Sequence, residues 1–136
     1  MPVVDANVAL AWAVPSSRTE AALRVLAAPG DITAPALLVQ EVTNAVWLMA
    51  RQGHVSPAEA EAIRTDALAP VSWLASDAHL AARALAIATE LDHPAYDAFY
   101  IAAAEAADTQ LVTADRRLLA KTAGSAFADR IIELGT

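Results

Sequence analysis

Asp5, Glu41, Asp97 and Asp115 are acids at positions where a carboxylate has chemistry open to it. Asp5 closes the apolar run PVVD at residues 2–5, and Asp115 follows the run QLVTA at 110–114. If both runs are strands of an open parallel sheet, both side chains leave it at the carboxyl edge, where such sheets bind ligands. Glu41 lies between Leu38 and Ala45 on a stripe that also carries Val42, Val46 and Met49 at three- and four-residue spacing, so it faces or borders the core. A buried carboxylate without a partner is costly; a metal ion, or an Arg or Lys, would offset that cost. Asp97 begins an Ala-rich helix, where free N–H groups and the helix dipole favour an anion. Each acid also has a plainer reading. Asp5 and Asp115 suit the N-caps of the helices after them, Asp97 suits a helix-terminal charge, and Glu41 suits an ion-paired border residue. Agreement of four placements on one edge of one sheet is more specific than any of them alone.

The elements that must position these acids are legible from punctuation and periodicity. Residues 2–5 read as a short buried strand, and 7–14 as an apolar segment, helical or irregular, stopped by Pro15. Ser16 or Ser17 caps a helix to about Ala28, ended by Pro29 and Gly30. Residues 32–34 form a second strand, and Pro35 opens a helix to about Gln52, closed by Gly53. Ser56, Pro57 and Glu59 make a capping box for a helix ending near Pro70. A strand at 71–73, a helix over 77–91, a break at Asp92-His93-Pro94 and a helix over 95–107 follow. The strand at 110–114, a helix from Arg116 and a last strand at 130–134 complete the chain. Strands alternating with helices imply a mostly parallel sheet covered on both faces.

The chain has 136 residues, which suits one domain spanning 1–136, and no cysteine, which excludes disulfides, thiolate zinc sites and a Cys nucleophile. Hydrophobic residues make up 57%, which excludes a disordered chain. Much of that is Ala, which favours closely packed helices. The first residues do not read as a signal peptide, and no apolar run is long enough to span a bilayer, so a reducing cytoplasm fits. A net charge of −7 argues against a plain nucleic-acid-binding module. It argues less against a nuclease, because acids that hold a metal are neutralised by it.

Three segments carry a resemblance: VVDANVAL at the start, APALLVQEVTNAVW in the middle, and HPAYDAFYIAAAEAADTQLVTADRRLL late. The chain resembles PIN domains, in particular the VapC-like toxins of type II toxin–antitoxin pairs. The pattern Y-D-A-x-Y-x-A-A-A followed by L-V-T-x-D is the most specific part. The resemblance implies a three-layer α/β/α fold with a short, mostly parallel sheet of about 4–5 strands. It implies that Asp5, Glu41, Asp97 and Asp115 bind Mg²⁺ or Mn²⁺, which all-oxygen ligands select over zinc, and that the chemistry is metal-assisted hydrolysis of RNA phosphodiesters. Asn7 and Thr113 match polar positions that orient the carboxylates, although Asn7 also suits a helix cap and Thr113 an ordinary strand residue. The resemblance further implies a homodimer and a cognate antitoxin.

Arg116, Arg117 and Lys121, just past Asp115, are candidates for phosphate contacts, or else a solvated helix face. His54, His79 and His93 form no recognisable pair or triad and read as surface or helix-end residues. Trp12, Trp47 and Trp73 read as core or dimer contacts. A phosphatase of the haloacid dehalogenase type, with Asp5 as nucleophile, would want a second Asp where Asn7 stands. The remaining alternatives are a catalytically silent binding module and a PIN nuclease of RNA processing that is not a toxin.

Overall fold

The computed structural model describes residues 1–135; Thr136, the last residue of the expected domain span, lies outside them. Five strands, β1 (Val3–Val4), β2 (Ile32–Pro35), β3 (Val71–Ala75), β4 (Leu111–Thr113) and β5 (Ile131–Glu133), form one sheet in the order β3-β2-β1-β4-β5. Every pairing is parallel. β1 is therefore central, with Val3 opposite both Thr33 and Leu111. The helices are α1 (Ala6–Ala13), α2 (Thr19–Ala27), α3 (Leu37–Arg51), α4 (Pro57–Leu68), α5 (Asp77–Leu91), α6 (Ala95–Ala106) and α7 (Arg116–Thr122). The arrangement is the expected three-layer α/β/α fold.

Strand pleating divides the core. Successive strand residues face opposite sides, so Val3 and Leu111 join a cluster with α3, α5, α6 and α7, through Leu38, Val42, Ile87, Ile101 and Leu118. Val4 and Val112 join the other cluster, with α1 and α2, through Val8, Ala11, Ala21 and Ala22. The α6 run from Tyr100 to Ala104 is almost wholly buried. Its alanines let α6 lie close against β1, β2 and β4, because a methyl group keeps helix and sheet near each other. Among the described residues, no helix is long and apolar enough to cross a membrane.

Several local expectations are revised. The segment after Asp5 is a regular helix from Ala6, capped by Asp5 itself. Neither Ser16 nor Ser17 caps α2. Its N-cap is Arg18, with no side-chain cap, and Thr19 instead accepts from the Ser16 amide at 2.9 Å. Pro35 ends β2 rather than opening α3, because the β2–β3 ladder runs on to a Pro35–Ala75 pairing. β3 likewise reaches Ala75 rather than stopping at Trp73. The tryptophans divide: Trp12 ties α1 to α2 by donating to the Ala22 carbonyl at 2.8 Å. Trp47 and Trp73 are not core; they are 54% and 47% exposed.

Candidate active site

Asp5, Glu41, Asp97 and Asp115 line one cleft of about 210 Å³ with Ala6, Asn7, Leu10, Ala45 and Tyr100. Asp5 and Asp115 enter from the β1–α1 and β4–α7 junctions, Glu41 from the second turn of α3, and Asp97 from the first turn of α6. The two junction acids do share the carboxyl edge of the sheet.

Each acid has a donor of its own. Asp5 accepts from the Val8 amide at 3.1 Å through one oxygen and from the Thr113 hydroxyl at 2.6 Å through the other. Thr113 in turn accepts from the Asp115 amide at 3.0 Å, so one buried hydroxyl links the two junctions. Glu41 accepts from the Tyr100 hydroxyl at 2.5 Å. Asp97 lies 2.6 Å from His93 Nε2. Asp115 accepts through Oδ1 from the amides of Arg117 and Leu118, which caps α7.

Burial raises the Asp5 carboxyl to about 6; its hydrogen bonds from Thr113 and Val8 oppose the rise, while the negative charges of Asp97 and Glu41 add to it. Burial also lifts Glu41 above its ordinary value, against the Tyr100 hydrogen bond and helped by Asp97. Burial and the Glu41 carboxylate push the Tyr100 phenol far above its ordinary value, so Tyr100 remains a donor at any working pH. Asp5, Glu41 and Asp97 thus feel one another as like charges. This is what an oxygen-lined cation site does before its ion arrives.

The side-chain poses are not those of a preformed cage. Among the described residues, no three His, Asp or Glu side chains close around a common point. The donor set nevertheless fits a hard divalent cation: oxygen donors only, strained by burial and mutual repulsion that a cation relieves.

Two residues of the site escaped the sequence reading. Tyr100 stands three residues after Asp97, one helical turn on, and is 2% exposed. His93 was read as a surface or helix-end residue with no pairing. It does end α5, but its ring is largely buried and pairs with Asp97. The four-residue spacing from His93 to Asp97 is the signal; the Pro94 break between them hid it. Asn7 lines the cleft. Arg116 does not; it lines a neighbouring hollow. Arg117 and Lys121 are exposed on α7 and line neither.

A family model described as PIN domain matches residues 3–125. The chain belongs to the PIN-domain family. Among PIN-domain relatives, a Pyrobaculum aerophilum protein named Ribonuclease VapC3 is 33% identical over 121 residues, covering 88% of this chain and 92% of that protein. A crystal structure from Pyrobaculum aerophilum matches with a TM-score of 0.69 at 30% identity, over 97% of this chain and 82% of that one. A toxin–antitoxin complex from Klebsiella pneumoniae also gives a TM-score of 0.69, over 97% of this chain and 96% of that one. At 19% identity, that last likeness is one of fold. This PIN domain therefore resembles a VapC ribonuclease in sequence, and its all-parallel sheet carries Asp5 and Asp115 at the edge where such sheets bind ligands, with Glu41 and Asp97 reaching the same cleft from α3 and α6.

Proposed function

We propose that this chain is a Mg²⁺- or Mn²⁺-dependent endoribonuclease and the toxin of a toxin–antitoxin pair. The observation that carries the reading is the cleft in which Asp5, Glu41, Asp97 and Asp115 meet, with Asp5 raised to about 6 by burial and by the charges beside it. The 33% identical relative named a VapC ribonuclease supports RNA as substrate.

Asp5, Glu41, Asp97 and Asp115 would hold the ion. When bound, such an ion supplies Lewis-acid polarisation of the phosphodiester and lowers the pKa of water. The rest is the work of the chain. Thr113 fixes one Asp5 oxygen, Tyr100 fixes one Glu41 oxygen, and His93 fixes one Asp97 oxygen. At Glu41 and Asp97 the second oxygen keeps its direction because the first is held, while at Asp5 the Val8 amide engages the other oxygen as well. Asn7, which lines the cleft, would help to orient the carboxylates.

A cognate antitoxin would silence the enzyme by bringing a basic side chain to these acids, which charge-assisted hydrogen bonding favours. The toxin would act in the cytoplasm as a homodimer. One observation favours a second reading, a catalytically silent PIN-like module: the net charge of −7, which opposes binding of a polyanion.

The test is cleavage of labelled structured RNAs with Mg²⁺ or Mn²⁺ and with EDTA, comparing wild type with Asp5→Asn and Asp97→Asn. Cleavage that needs both the ion and the two aspartates supports the nuclease. No cleavage by wild type, with no calorimetric binding of Mn²⁺, leaves the silent module.

A further inference from the structure

The nine cationic side chains of this acidic chain divide sharply by partner. Arg24, Arg64, Arg83 and Arg130 sit in ion pairs with Glu20, Glu61, Glu105 and Asp108. Arg51 lies over the Trp47 ring, 5.6 Å from its centroid. Among the described residues, Arg18, Arg116, Arg117 and Lys121 have no ion-pair partner. Three of these four lie on α7, after Asp115. The fourth, Arg18, is 98 residues from Arg116 in sequence, yet both line one hollow of about 400 Å³.

That hollow is built from the α1–α2 loop (Ser17 and Arg18), the β4–α7 junction (Ala114 and Arg116) and the end of β5 (Glu133 to Gly135). It shares a wall with the acid cleft, because Asp115, between Ala114 and Arg116, lines the cleft instead. An acidic cleft repels a polyanion on every side except where cations flank it. Arg116, next to Asp115, supplies such a flank.

We infer that the hollow lined by Ser17, Arg18 and Arg116 is the subsite for the backbone phosphates of the RNA strand next to the scissile bond. The inference rests on the ribonuclease reading and adds the direction in which the strand leaves the cleft. The two guanidiniums form forks suited to a phosphate, and Ser17 offers a hydroxyl. Contacts of this kind position a strand without reading its bases. Glu133, exposed at the end of β5, is the one anion in the lining among the described residues, and it holds affinity below what two arginines would give.

The experiment is fluorescence anisotropy of a labelled single-stranded RNA on Asp97→Asn protein with Mg²⁺, at several salt concentrations. Cleavage by the otherwise wild-type chain is measured in parallel. Arg18→Ala and Arg116→Ala are expected to weaken binding several-fold and alike for different RNA sequences. Each should lower the salt slope by about 0.7, the value for one phosphate contact on a single strand. Arg18→Lys should keep most of the affinity, Glu133→Gln should raise it, and Arg64→Ala, which removes the same charge on α4, should leave it unchanged. Unchanged binding in both arginine variants, or an equal loss in Arg64→Ala, overturns the subsite while the nuclease stands. A wild type that cleaves no RNA overturns the ribonuclease reading, and the subsite with it.

Discussion

The β1–α1 and β4–α7 junctions are built alike and end up chemically different. In each, a short parallel strand ends, an Asp caps the next helix, and the carboxylate lies at the same edge of the sheet. Asp115 stays at the rim with both capping amides on one oxygen. Asp5 lies deeper, with Thr113 on its second oxygen, Glu41 and Asp97 close by, and a carboxyl raised to about 6. The local motif is the same, and the distinction comes from α3 and α6, which bring Glu41 and Asp97 beside Asp5. A cap becomes a reactive group when other parts of the chain remove its water and crowd it with charge.

The sharpest test of that contrast is catalytic. Asp5→Asn and Asp97→Asn should each cut metal-dependent RNA cleavage by at least about 100-fold, since even a group supporting a metal ligand is worth 10–100-fold. Asp115→Asn, at the rim, should lose less. Equal losses at Asp5 and Asp115 in single-turnover assays would erase the distinction.

Stability should separate the junctions next. The Asp5 carboxyl is about 6 in the fold against an ordinary 3.8. At low pH it is protonated in both states and costs nothing. As pH rises from about 4 through 6, the unfolded chain ionises freely while the fold resists, so stability falls. At pH 7.5 without metal the deficit is about 3 kcal/mol, from a shift of roughly two units. Asp5→Asn should therefore be the more stable protein in urea titrations with EDTA at pH 7.5, and should lose that advantage near pH 4. Asp115→Ala should instead lose about 1 kcal/mol of cap energy.

Divalent metal should act in the opposite sense to that deficit. Mg²⁺ or Mn²⁺ should raise the melting temperature of wild type by mass action and leave Asp97→Asn unmoved. An undiminished shift in that variant would place the ion elsewhere.

The smallest effect is expected from the donor on α6. Tyr100→Phe keeps the ring in its buried slot and removes only the hydroxyl to Glu41. It should lower kcat about 10-fold and weaken Mn²⁺ binding in calorimetry, with about 1 kcal/mol lost from stability.

What was legible in the sequence is what local rules govern. The Ser56–Glu59 capping box forms both of its hydrogen bonds, at 2.9 and 3.1 Å. The strand-end positions of Asp5 and Asp115 follow from apolar runs, and the inward lean of Glu41 from helical periodicity. What was not legible depends on partners distant in sequence. Pro35 looks like a helix opener until β3 pairs beside it. Ser16 looks like a cap until Thr19 takes its amide. Tyr100 has no role that its own segment shows, because Glu41, which its hydroxyl meets, is 59 residues earlier. The pairing of Arg18 with Arg116 in one hollow leaves no trace in either local segment.

The central place of β1 has a consequence for synthesis. β1 leaves the ribosome well before one of its two flanking strands, β4, which begins at Leu111, and the Thr113 hydroxyl that holds Asp5 is 108 residues behind it. Helical segments form as they emerge, but contacts this distant wait until both partners exist. A nascent chain short of β4 carries three of its four acids and cannot assemble the cleft. The cleft therefore forms late, only after β4 has emerged and paired with β1.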